Sequence, residues 1–353
     1  MVLPSPEFLV YSIAYGSVLA LLCIGLTLTY MVTKVPNFAH ATLAITGATV
    51  TLFLLDRIYY SLHPVRCHGC VVQYATLYLL APILAFIIVG LVALAEYLLV
   101  LRPLARRGMG IIGLMIATLA FDMILYNVLS LTLYIVPAKN LSRLMDAPLK
   151  GFDVGVTLAG VNTSFSRLLL PLVAITLAVA LHMFLTRTKF GVSLRASIEN
   201  PDLARVLGIN VDLAYMVSWF LAGGLAGASG ALWAFMIESY KPETAYFIIV
   251  SIFAGSILGG LGSVYGALVG GFLIGLAETV GLVITQNLLQ LLLNLLQQLL
   301  NMLGLTVTLT VTVTLTQYQR FFSLIIVIVV LLVAPQGLAG INFRGLLARG
   351  GLK

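Results

Sequence analysis

The sequence predicts an all-α polytopic membrane protein with about eight or nine transmembrane helices. Three observations carry this. Hydrophobic residues make up 61% of the 353 residues and charged residues only 9%, where a soluble globule carries about 25% charged residues. The apolar residues gather into runs near the roughly 20 residues that a helix needs to cross a bilayer. Lysine and arginine concentrate in short segments between those runs, the pattern that sets orientation. The net charge of +7 therefore marks loops that meet anionic lipid and implies no nucleic-acid partner.

The runs are about 8–31, 39–55, 75–101, 110–134, 168–185, 214–235, 246–258, 265–284 and 321–334. No basic stretch or small-residue cleavage pattern precedes the first, so no cleaved leader is expected. Between the first two, Pro36 and Asn37 break the helix, and Asn37 can cap the next one. The segment is either an ordinary capped turn or an irregular stretch lining a path, with Asn37 and His40 as path or gate candidates. The loop 56–74 holds His63, Cys67, His68 and Cys70. Cys67-x-x-Cys70 has a metal-ligand spacing but lacks a second cysteine pair. A disulfide is favoured over a metal on an oxidising face, and two free thiols remain the third alternative.

The third run ends in the basic stretch 101–110, where Pro103 is expected to stop the helix and Glu96 to meet Arg102 or the lipid interface. Asp122 and Glu278 fall within apolar spans, where a charge costs on the order of 3 kcal/mol and so faces the bundle interior or water. Asp122 reads as a carboxyl bonded to a neighbouring helix. For Glu278 that reading and a gating role both stand.

Residues 187–212 form the longest charged interruption in the C-terminal half. Asn200 offers a side-chain oxygen to free N–H groups and Pro201 suits the first helical position, while Gly208 is placed to end the helix. A helix of about two turns, presented in water between two spans, is a docking element. Beyond it, small residues cluster at Gly223–Gly230 and again at Gly259, Gly260, Gly262, Gly266, Gly270 and Gly271, a composition that lets membrane helices approach closely. In residues 286–319, Asn and Gln first recur at helical spacing. From Thr306 to Thr316, threonines then alternate with Val and Leu, a strand pattern. Because an open strand cannot satisfy its backbone in lipid, 286–319 is expected as an external extension, β or irregular near 304–318. The basic residues on the short segments (Lys34, Arg102–Arg107, 187–212 and the tail) place those segments in the cytoplasm, the N-terminus outside and the C-terminus inside.

No Gly-Lys-[Ser/Thr] follows Gly259–Ser263, and no phosphate-binding loop stands elsewhere. The four histidines are scattered, and no nucleophile–base spacing is visible. The chain is expected to be no enzyme and to hold no cofactor of its own.

Several local strings converge on one family. Asn37-Phe38-Ala39-His40, Arg102-Pro103-Leu104 preceded by Glu96, Gly191 with Arg195-Ala196, Asn200, Ala204 and Gly208-Ile209, the glycine-rich stretch from Leu258 to Glu278, and Ala334-Pro335-Gln336-Gly337-Leu338 stand in family order. Together they resemble the LivH-type permease of ABC importers for branched-chain amino acids. Ala41-Thr42 departs from the pattern, which has Gly and an acidic residue there, and the Cys67–Cys70 loop and 286–319 have no counterpart.

The resemblance implies a single transmembrane permease domain over 1–353 that moves branched-chain or related hydrophobic amino acids into the cell. It implies a second permease, alike or related, across a central pathway, and an external solute-binding protein. Two cytoplasmic subunits would bind the ATP and Mg. It makes 187–212 the ATPase-coupling loop, with Gly191, Arg195, Ala196, Asn200, Ala204, Arg205, Gly208 and Ile209 as its residues. The small Ala196, Ala204 and Gly208 would permit close approach, and Arg195 and Arg205 would pair with acidic groups on the ATPase. The rival reading is an ion-gradient-driven secondary transporter using Asp122 and Glu278.

Overall fold

Each of the nine apolar runs lies on a helix in the computed structural model, which describes residues 5–54, 71–135, 153–158, 160–236, 241–302, 319–334 and 336–340. The Cys67–Cys70 loop, the alternating stretch near 304–318 and the basic tail lie outside the described residues.

Helix α1 (Pro6–Thr33) is followed by α2 (His40–Leu54) and α3 (Val71–Glu96). Pro103 does not end α3. The chain runs on through a π turn, Tyr97–Leu101, into α4 (Arg102–Arg106). The wider turn lets the Arg102 N–H reach back five residues to the Tyr97 carbonyl. Pro103 then sits at the start of a new helical segment, where its missing N–H costs little. Helix α5 (Ile111–Ile135) and a two-stranded antiparallel hairpin, β1 (Gly155–Leu158) and β2 (Val161–Ser164), lead to α6 (Phe165–Arg187). The polar island folds as two helices, α7 (Lys189–Glu199) and α8 (Pro201–Val206). Then come α9 (Val211–Trp233), α10 (Thr244–Gly259), α11 (Val264–Met302) and α12 (Gln319–Val333).

Among the described residues, seven helical segments are long and apolar enough to cross a membrane, the last being the stretch Gln319–Gly340 that begins with α12. The other two apolar helices are α2 and α10, of 15 and 16 residues. At 1.5 Å per residue they reach only about 22–24 Å, short of a hydrocarbon core of about 30 Å. They are internal. Helix α2 is buried on nearly every side, between α1, α3, α5, α9 and α10. Length and burial thus agree: a helix shielded by neighbours need not match the bilayer.

Helix α11 shows the opposite departure. Its 39 residues span roughly 58 Å, and it passes through Gln286 without a break. Residues 286–302 contain neither Gly nor Pro and are rich in Leu, Gln and Asn, so nothing in them stops a helix once it has started.

The glycines explain how closely the helices pack. A Cβ on Gly230 of α9 would stand 1.8 Å from the Ala44 carbonyl oxygen of α2, and one on Gly227 2.4 Å from the Ala85 oxygen of α3. Gly259 of α10 and Gly266 of α11 face each other's backbone, Gly270 faces the Gly255 carbonyl, Gly255 faces Gly271, and Gly271 packs on Leu19 and Ala20 of α1. These contacts admit only a hydrogen at the Cα. Two glycines of the same string do something else. Gly260 has φ +96° and ends α10, in a backbone conformation that residues with a Cβ rarely adopt. Gly262 faces open space, so it packs against nothing.

Candidate functional site

The island is built by caps. The Thr188 hydroxyl accepts the Gly191 N–H at 2.9 Å and starts α7. Asn200 closes α7 and opens α8, its Oδ1 accepting the Leu203 N–H at 3.0 Å. Gly208, at φ +79°, lets the Ile209 N–H return to the Ala204 carbonyl at 2.9 Å. Asn210 then caps α9 by accepting the Leu213 N–H at 3.0 Å. Four capping elements in about twenty residues define two short helices that propensity alone would leave marginal.

The caps also decide which side chains face out. Gly191, Leu194 and Ser197 of α7 and Ala204 of α8 are buried against the rest of the chain. A Cβ on Gly191 would stand 2.2 Å from the Phe184 carbonyl oxygen. Gly191 and Ala204 are therefore packing residues within this chain, and their smallness is not on the outer face. Ala196 and Ile209 are half-buried, while Arg195, Asn200, Arg205 and Gly208 are exposed. Arg205 bonds Asp202, one turn back, at 2.9 Å. What α8 displays outward is apolar: Leu203, Val206 and Leu207, with relative exposures of 55, 83 and 69%. Sequence reasoning passed over these three. Their spacing, i, i+3 and i+4, places them on one helical face and was the signal available.

Inside the bundle, a second group of polar residues surrounds the start of α2. Asn37 is fully buried; its Oδ1 accepts the Ala39 N–H at 2.9 Å and its Nδ2 donates to Glu96 at 3.1 Å. Glu96 is thus joined to the turn before α2 and not to Arg102, whose partner is Asp212 at 2.5 Å. Glu96 stands six residues before Arg102, past one and a half turns, so it points into the bundle and not toward that arginine. The Phe38 N–H donates to the Thr118 hydroxyl at 3.3 Å, and the Thr42 hydroxyl donates to Asp122. Thr42 stands where the family pattern has an acidic residue, and that hydroxyl gives Asp122 a donor in place of a second carboxylate. The His40 Nε2 donates to the Leu22 carbonyl at 3.0 Å, since a carbonyl can only accept.

Glu278 lies elsewhere. It joins four helices: the Ser251 (α10) and Ser323 (α12) hydroxyls donate to Oε1, and Tyr15 (α1) to Oε2 at 2.9 Å. Gln319 Nε2, at the start of α12, lies 3.4 Å from the same Oε2. Tyr15 and Leu22 are seven residues apart on α1, roughly 10 Å along its axis. Asn37 and His40 are therefore brought together, and Glu278 belongs to a separate junction.

The whole chain can be set beside known proteins. Residues 8–334 match the family model described as the permease component of branched-chain amino acid transport systems. A probable branched-chain amino acid transport permease protein LivH of Methanocaldococcus jannaschii is 38% identical over 95% of this chain and 92% of its own length. The Escherichia coli K12 high-affinity permease LivH is 24% identical over 93% of both chains. BraD of Pseudomonas aeruginosa is 26% identical over 77% of this chain and 85% of its own. No solved structure matches. With a family match over nearly the full length and a relative at 38% identity, this chain belongs to the permease components of branched-chain amino acid transport systems.

Proposed function

We propose that the chain is the transmembrane subunit of an ATP-driven importer that carries branched-chain or related hydrophobic amino acids into the cell, with α8 as the element that meets the motor. One observation carries the coupling role. A two-turn helix, held by an asparagine cap and ended by a left-handed glycine, displays three apolar side chains that the described residues leave exposed. Such a surface is suited to a groove on a partner. Arg195 and Arg205, exposed beside it, set the electrostatic fit with acidic groups there. Two cytoplasmic subunits bind ATP and Mg, and this chain hydrolyses no nucleotide itself. A second permease completes the central pathway, and an external binding protein delivers substrate.

In this reading the multi-pass chain sits in the plasma membrane. The end carrying Arg102, Arg106 and the island faces the cytoplasm, and the N-terminus lies outside. Asn37 and His40, at the cytoplasmic end of α2, border the path. Glu278 serves as a fixed junction behind it.

The test is co-purification in mild detergent with the ATP-binding subunit of the same cell. Wild type is expected to retain it, and a Leu203→Ser/Val206→Ser/Leu207→Ser variant to lose it while eluting as a folded species. Retention by the variant would remove α8 from the coupling role. Uptake that continues without ATP would replace the importer with gradient-driven transport.

A further inference from the structure

At the basic end of the bundle lies a cavity of about 670 Å³, bounded by the end of α1, the π turn and α4, the start of α5, and the α8–α9 junction. Its lining divides into two parts. Val32, Val35, Leu101, Leu114, Ile209 and Val211 form apolar walls, while Arg102, Arg106 and Arg205 line it beside a single carboxylate, Asp212. Both Arg102 and Arg106 converge on the same oxygen, Asp212 Oδ2, at 2.5 and 2.7 Å. The Arg102 Nε, shielded from solvent, has no hydrogen-bond partner among the described residues. Asp202, the partner of Arg205, is 89% exposed and does not line the cavity.

We propose that this cavity binds the phosphate group of an anionic phospholipid. The cationic excess calls for an anion, and arginine forks match phosphate oxygens in pairs. The apolar half of the lining calls for an amphiphile in place of a small hydrated ion. The site is also where a lipid headgroup would be: its α5 wall lies one turn from Ile111 and Ile112, which are exposed on the outer surface of a membrane-length helix. Basic pockets between transmembrane helices are suited to such headgroups. The cavity has the size of an ordinary small-ligand site. Its three arginines come from α4 and α8, and its carboxylate from α9, so a bound headgroup ties the island to the bundle. Lipid composition then sets how firmly α8 is held. The site is a property of this chain alone and does not depend on the importer reading.

The experiment uses the delipidated full chain in detergent. Its melting temperature is followed while adding phosphatidylglycerol, phosphatidylcholine, diacylglycerol or inorganic phosphate. Phosphatidylglycerol is expected to raise the melting temperature, and the other three are not. An Arg106→Gln/Arg205→Gln variant should weaken the apparent affinity about tenfold, a loss of about 1.4 kcal/mol. Asp212→Asn, which removes the one negative charge, should strengthen it. A merely damaged fold would move both variants in the same direction. Equal effects of phosphatidylcholine and phosphatidylglycerol would overturn the proposal, as would unchanged affinity in the double arginine variant. If inorganic phosphate alone reproduces the shift and displaces the lipid, the ligand is free phosphate and the lipid assignment falls.

Discussion

Glu278 and Asp212 both gather several donors, yet they do so in opposite ways. Glu278 is fully buried where four helices meet, and its partners are neutral: two serines, a tyrosine and a glutamine. Asp212 sits at the end of the bundle, partly exposed, and its partners are two arginines. Within the bundle a full ion pair must shed the hydration of both charges, a cost that its own attraction does not reliably return. Neutral donors satisfy a carboxyl there with less to desolvate. At the boundary, water and headgroups solvate the arginines, so an ion pair costs little and gains little. One region is therefore a rigid frame and the other an adjustable rim. The docking helix and the cavity both lie on the rim.

The comparison can be broken most directly at Glu278. Replacing it with Ala strands donors on α1, α10 and α12, and the chain should lose about 3 kcal/mol of stability. Thermal unfolding in detergent reads this, and a loss below about 1 kcal/mol would mean that the junction holds nothing together. The frame's packing is the next largest effect. Gly230→Ala forces a methyl against the Ala44 carbonyl and should cost about 2 kcal/mol. Gly262→Ala, facing open space, should be nearly silent in the same measurement.

On the rim, Asn200→Ala removes the cap shared by α7 and α8 and should cost about 1 kcal/mol of local stability. Hydrogen exchange should show it as faster exchange at Leu203 with the bundle amides unchanged. The smallest effect belongs to the ion pair itself. Asp212→Asn should lower stability by only about 0.5 kcal/mol, and less at high salt. A salt-independent loss several times larger would place Asp212 with the frame and end the distinction.

Much of this was legible in the residues. Asn200, Pro201 and Gly208 announce α8 because capping and left-handed turns are local events, decided by side chains within a few residues. The close-packing role of Gly259, Gly266, Gly270 and Gly271 was legible for a similar reason: small residues recur where helices touch. Gly262 escaped that logic, since composition cannot tell a contact from an open turn. Pro103 misled because a π turn just before it relieves the missing N–H. The direction of Ala204 also misled. Smallness marks a close approach but does not say whether the neighbour is another protein or the chain's own helix.

What the sequence by itself determined is the apolar helices, their membrane setting, the Asn200 and Gly208 caps of the island and the family, because hydropathy, charge placement and capping all act at short range. Only the tertiary structure decided who meets whom. Glu96 turned from Arg102 to Asn37, Thr42 became the partner of Asp122, and three distant segments converged on Glu278. Those pairings depend on how helices far apart in the chain rotate and cross, which backbone contact between glycines sets and no local window records.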